Sequence, residues 1–147
     1  MGPGLIDKAH VVVPDAPSEA DRATILAGLV AFNSEHAHSG TTGPLAVLLQ
    51  DADGNTIGGL WGSTLFDWLR IELLFVPESL RGCSSGSTIV HRAEQLAAAR
   101  GCVGASLDTY SFQARGFYEK LGYSLVGKIN DCPPGGARYF LQRRIDR

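Results

Sequence analysis

Arg81, Gly82 and Gly86 stand in a short polar loop, and the segments on either side decide what such a loop can do. Before it runs Trp68 to Val76, an apolar strand. After it, from Ser85 to Arg100, Ile89, Ala93, Leu96 and Ala97 recur at three- and four-residue steps, with His91, Arg92, Glu94 and Gln95 mostly on the other side and Gly101 as the stop. A loop feeding a helix N-terminus presents unpaired backbone N–H groups and the positive end of the helix dipole, which suits an anion, and first of all a phosphate. Two glycines in a strand-loop-helix unit also serve purely backbone ends, so from the loop alone both readings stand.

Other residues carry chemistry by type. In the strand, alternation places Leu69, Ile71, Leu73 and Phe75 on one face and Arg70, Glu72, Leu74 and Val76 on the other, which leaves Glu72 as a carboxylate amid apolar neighbours. Cys83 lies beside the helix N-terminus, where a thiolate is favoured, or is simply a tolerated loop residue. Cys83, Cys102 and Cys132 are odd in number and lack paired metal spacing, against a disulfide framework. Glu35, His36 and His38 fall in the polar stretch Asn33 to Gly43. They are of metal-ligand type, but no further ligand lies at a familiar spacing, and a solvent-facing or substrate-facing loop is the expectation. Asp51 to Asn55 looks superficially like a calcium loop, yet its glycine is misplaced and the closing glutamate is missing; a hairpin turn explains it.

These residues need positioning elements, and the chain supplies them in a clear order. Val11 to Val13 reads as a first strand. Ser18 with Asp21 caps a helix whose face is Ile25, Leu26, Leu29 and Val30. Leu45 to Leu49, Thr56 to Leu65 and the strand from Trp68 form an antiparallel meander. Beyond the central helix come a strand from Val103 to Asp108, a helix from Ser111 to Leu121 with Ala114, Phe117, Tyr118 and Leu121 on one face, and two strands over Tyr123 to Val126 and Arg138 to Leu141. Strand, helix, three strands, helix, strand, helix and two strands describe a mixed α/β sheet.

The 147 residues suffice for one domain, 1–147, with a real core. A formal net charge of -2, without a block of like charges, points away from nucleic acid or an anionic membrane as partner. No apolar run approaches a membrane span, the N-terminus lacks a basic-then-apolar pattern, and a cytoplasmic protein is expected.

The chain resembles the GNAT superfamily of acyl-CoA-dependent N-acetyltransferases. Arg81-Gly-Cys-Ser-Ser-Gly86 is similar to the family's loop pattern Q/R-x-x-G-x-G/A, Ser111 to Tyr123 resembles its late helix with a tyrosine and a Leu-Gly-aromatic turn, and the element order agrees. Ser84 stands where the family has its first glycine, Ser85 where an aliphatic residue is usual, and Ser111 where an asparagine is often found. The resemblance implies a mostly antiparallel sheet of six to seven strands flanked by helices, whose central strands splay apart to hold acetyl-CoA.

It also implies roles. The pantetheine arm would bond to the backbone of Leu74, Phe75 and Val76 like an added strand. The pyrophosphate would sit on the N–H groups of Arg81, Gly82, Cys83, Ser84, Ser85, Gly86 and Ser87, with Ser111, Ala114 and Tyr118 also at the cofactor. The neutral amine of a small-molecule acceptor would attack the thioester directly in a ternary complex, with no acyl-enzyme and no metal. Tyr118 would protonate the departing thiolate, and Glu72, its pKa raised by burial, would be the base. The acceptor would enter beside the first helix and its following loop, with Glu35 attracting a cationic amine, His36 or His38 assisting, and Trp61 as a wall. A homodimer is the expected assembly. The second reading is a GNAT-fold binding module without turnover, because Ser84 replaces glycine.

Overall fold

The computed structural model describes residues 5–6, 9–38 and 40–146, which fall into two compact units, 1–38 and 39–147. In the first, a two-residue hairpin pairs β1 (Leu5–Ile6) with β2 (Ala9–His10), and α1 spans Glu19–His36. The cap is as expected: Ser18 Oγ accepts from the Asp21 N–H at 3.1 Å, with Glu19 and Asp21 favourably placed in the first turn. Two expectations need correction. Val11 to Val13 belong to no strand and are exposed, because β-branched residues make a strand only with a partner to pair and pack against. The polar break begins later than Asn33: helical hydrogen bonding continues to His36, so Glu35 and His36 are helix residues. Ser39 of that stretch lies outside the described residues.

The second unit is a six-stranded sheet in the order β3-β4-β5-β6-β8-β7. Its strands are β3 (Gly43–Gln50), β4 (Thr56–Leu65), β5 (Trp68–Phe75), β6 (Gly104–Tyr110), β7 (Ser124–Asn130) and β8 (Ala137–Arg144). All neighbours are antiparallel except β5 and β6, and between that parallel pair the chain makes its long crossover through α2 (Ser85–Ala99). A last short helix, α3 (Arg115–Lys120), starts four residues later than the apolar pattern suggested. The Gln113 carboxamide explains the delay: its Oε1 accepts from the Tyr110 N–H at 2.9 Å and holds the preceding residues in a turn.

One face of the sheet carries the core. Ile89, Val90, Ala93 and Ala97 of α2 pack on Leu45, Leu60, Leu69, Ile71, Ala105, Leu107 and Leu141, joined by Tyr118 and Tyr123. The end of α2 is tied down by Arg100, whose guanidinium donates to the Gly43 and Pro44 carbonyls and the buried Thr64 hydroxyl; a cation there also suits the helix dipole. With α2 fixed at that end, its N-terminus is held over the edge of β5.

Candidate active site

The site grows from a register fault in β5. Trp61 of β4 opposes Leu73, and the next β4 residue, Gly62, opposes Ile71, so Glu72 is the extra residue of a β-bulge. Gly62 is required there, since a Cβ would collide with the Arg70 carbonyl. The bulge resets the alternation: Leu69 and Ile71 face the core, then Leu74 and Val76 pack against it, while Leu73 and Phe75 turn outward and are exposed. The single apolar face expected for Leu69, Ile71, Leu73 and Phe75 is corrected accordingly. Glu72 is exposed, so the burial expected from its neighbours is absent. Arg70 pairs not with Glu72 but with Asp108 of β6, at 3.7 Å.

Immediately past the bulge the two parallel strands part. Their pairing runs from Trp68↔Gly104 to Ile71↔Leu107 and stops, although β5 continues to Phe75 and β6 to Tyr110, each still bonded to its outer neighbour. The gap opens on a cavity of about 700 Å³. Leu74, Phe75, Val76 and Leu80 line one side, Arg81, Gly82, Ser84, Ser85, Gly86 and Ser87 the loop end, and Phe112, Gln113, Ala114 and Phe117 the far wall.

The loop is aimed by two left-handed residues. After a 3-10 turn at Glu78–Leu80, Gly82 takes φ 82°, and Ser84, the residue before α2, takes φ 62° and ψ 11°. Glycine occupies that region freely; for serine it costs about 1–3 kcal/mol. The Ser84 carbonyl then receives the Thr88 N–H at 3.0 Å and the Ser87 hydroxyl at 3.0 Å. The amides of Ser85, Gly86 and Ser87 precede that first helical bond and are left for a ligand. Arg81 closes the loop onto the strand by donating from Nε to the Val76 carbonyl at 2.9 Å. Gly86 lets Phe117 approach, since a Cβ would stand 3.1 Å from the ring's Cζ.

This cavity suits a long, thin molecule ending in phosphates. It has an unpaired strand edge for amide groups, an apolar wall from Leu74, Val76, Leu80 and Phe117, and helix amides beside the Arg81 cation. Residues 74–76 and 81–82, Ser84, Ser85, Gly86, Ser87 and Ala114 are brought together around this cavity. Cys83, Ser111 and Tyr118 are not among the lining residues: Cys83 is exposed, and the Ser111 hydroxyl faces the other way to accept from the Ala137 N–H at 3.1 Å. Phe112, Gln113 and Leu80 complete the walls; a turn precedes α3, so helical phase after Ser111 does not reveal the first two, and Leu80 lies in a 3-10 turn that carries no periodic signal.

Tyr118 is nonetheless buried just behind the wall, next to Phe117, with ring centroids 5.1 Å apart. Burial pushes its phenol up to about 12. No hydrogen bond engages its hydroxyl among the described residues, and none of their fully buried side-chain polar atoms lacks a partner; the oxygen therefore reaches accessible space. Trp61 is half exposed on β4, directly across from Leu73. Glu35 and His36 belong to the helical unit, where the His36 ring stacks on Phe32 and its Nδ1 lies 2.8 Å from the Phe32 carbonyl. Among the described residues no three His, Cys, Asp or Glu side chains come together as a group able to hold a metal ion.

A parallel strand pair splayed at a bulge, with a glycine-bearing loop and helix N-terminus above the gap, is the arrangement that the resemblance to acyl-CoA-dependent acyltransferases implies. The sequence profile of the Acetyltransferase (GNAT) family matches residues 15–123, and the chain belongs to that family. It is similar to acetyltransferase Atu2258 of Agrobacterium fabrum, 34% identical over 130 residues, which cover 88% of this chain and 94% of that protein. Blasticidin-S acetyltransferase of Streptomyces morookaense is 40% identical over 93 residues, 63% of this chain and 68% of that protein. The crystal structure of an acetyltransferase from Bacillus cereus superposes with a TM-score of 0.79 at 28% identity, covering 90% of this chain and 97% of that one. The protein is thus an acyltransferase using acetyl-CoA, and a non-catalytic binding module is not favoured.

Proposed function

We propose that the enzyme transfers the acetyl group to a primary amine of a small molecule, directly within a ternary complex. The observation that supports this reading is the splay beyond Ile71 and Leu107; Glu72 is the first β5 residue past the last pair, though not a lining residue of the cavity, and Tyr118 packs against Phe117 of its wall. Bound acetyl-CoA supplies a thioester whose carbonyl carbon bonds to the amine nitrogen as the carbon–sulfur bond breaks. The backbone of Leu74 to Val76 holds the pantetheine arm as an added strand, and the amides of Ser85 to Ser87 with Arg81 hold the phosphates. Glu72, exposed and open to water, takes the proton from the incoming ammonium directly or through a water molecule. Tyr118, with its phenol raised to about 12, stays protonated through neutral pH and gives its proton to the departing sulfur, and the second proton shed by the newly acylated nitrogen returns to the phenolate through water.

For the acceptor, Trp61 is the proposed wall on the sheet; separately, the residue types of Glu35 and His36 on α1 suit the attraction of a cationic amine. The name of the Streptomyces relative suggests an amine-bearing antibiotic as the first compound to try. A cytoplasmic location is proposed. One domain over the chain and a homodimer are proposed as well; sedimentation tests the assembly.

The decisive assay follows CoA thiol release from acetyl-CoA with blasticidin S as acceptor, together with the acceptor's mass. Amine-dependent release with gain of one acetyl group, slowed by both Tyr118→Phe and Glu72→Gln, is the expected result. Unchanged rates in both variants would remove the two assigned roles.

A further inference from the structure

Behind Tyr118 lies a second polar group that transfer does not use. Glu94 sits in α2, buried, with its carboxylate turned into the molecule rather than out with His91, Arg92 and Gln95. Three side chains converge on it. The Tyr123 hydroxyl donates to Oε2 at 2.8 Å; Arg143 of β8 donates from Nη1 to Oε1 and Oε2 at 2.8 and 3.0 Å; and His91 Nδ1 stands 3.3 Å from Oε1. Tyr123 is itself buried, and its ring meets that of Tyr118 edge to face, centroids 5.7 Å apart and planes at 70°. Its backbone N–H bonds the Tyr118 carbonyl at 3.1 Å.

Glu94 is buried while Arg143 is a third exposed, and a carboxylate taken out of water this far is weak evidence for stability; the best-attested use of such a pair is to select one arrangement among several. The arrangement selected here is a ring position. Among the described residues Tyr118 has no hydrogen bond to fix its hydroxyl, so the rings against it set the angle at which that hydroxyl points, and of these Tyr123 is anchored at its far end. Glu94 shares α2 with the phosphate loop, so the same helix fixes the loop at its first turn and Tyr123 at its third.

We infer that Arg143, Glu94 and Tyr123 form a positioning relay that holds Tyr118 in the orientation from which it serves the reaction. The relay rests on the proton-donor role proposed for Tyr118, and it predicts effects that pass through that residue alone. Tyr123→Phe keeps the ring and removes only the anchored hydroxyl. In this variant kcat should fall about tenfold, short of the ~10²-fold that an ångström of misplacement can cost, with KM for acetyl-CoA unchanged. In a Tyr118→Phe background the same substitution should cost nothing further, because no hydroxyl is left to orient.

Aromatic NMR of the protein labelled at tyrosine reads the positioning without turnover. Tyr118 should show restricted ring flipping in the parent and faster flipping in Tyr123→Phe. Glu94→Gln, which keeps an acceptor for the Tyr123 hydroxyl, should restore most of the restriction lost in Glu94→Ala. Identical Tyr118 flipping in parent and Tyr123→Phe overturns the inference, as does a rate loss that multiplies in the double variant. If Tyr118→Phe alone leaves kcat unchanged, the donor assignment fails instead, and the NMR comparison still decides whether the relay fixes the ring.

Discussion

Strands β5 and β6 behave as two different structures along one length. From Trp68 to Ile71, β5 is zipped to β6 in register, with Leu69 fully buried beneath α2. From Glu72 to Phe75 it has no partner on that side, and Leu73 and Phe75 are exposed. One inserted residue separates the two regimes. The closed half has spent its hydrogen bonds on the sheet and serves stability; the open half keeps a row of backbone groups for a ligand, a liability at any exposed edge and an asset where a cosubstrate is to be held like a strand.

Several substitutions should break or sharpen that contrast. The largest effect on folding is expected in the closed half: Leu69→Ala should lose about 2–5 kcal/mol in urea unfolding. In the open half the heaviest loss should be of rate, with Tyr118→Phe lowering kcat about 10²-fold while acetyl-CoA affinity stays within a factor of a few. Tyr118 also ties stability to alkaline pH. Its folded-state value of about 12 exceeds the ordinary 10.0, so the unfolded chain loses this proton first and stability should fall between those values, by up to about 1.4 kcal/mol per pH unit from this group. Denaturation against pH should show a shallower fall in Tyr118→Phe; an equal slope would mean that the phenol is not buried in solution. Ser84→Gly relieves a left-handed serine and should raise stability by about 1 kcal/mol, seen as a higher Tm. Leu73→Ala, on the exposed side of the open half, should change stability by less than about 0.5 kcal/mol.

Much of this was legible in the chain. Helix α2 announces itself by periodicity and a glycine stop, and the Arg81 to Gly86 loop lies where its glycines and the following helix put it. Ser84 was only half legible: a family position usually held by glycine signals either a close approach to a ligand or a left-handed backbone, and the second is what the fold shows. Glu72 was misread because alternation presumes that every residue has a partner; a bulge, which puts two residues against one, leaves no mark on the pattern except an odd polar residue. Glu94 was grouped with the polar side although it follows Val90 by four residues and precedes Ala97 by three, in phase with the buried stripe. Its partners Tyr123 and Arg143 lie 29 and 49 residues away, a convergence that only the folded sheet creates.

Amide hydrogen exchange along β5, with and without acetyl-CoA, tests the central contrast most directly. The amides of Leu69 to Ile71 should be slow in both states; between Glu72 and Val76 those bonded to β4 should also be slow, while those turned to the gap should exchange quickly alone and become protected when acetyl-CoA is added. Unchanged exchange between Glu72 and Val76 at saturating acetyl-CoA would contradict the assignment of the splayed half as the cosubstrate's strand.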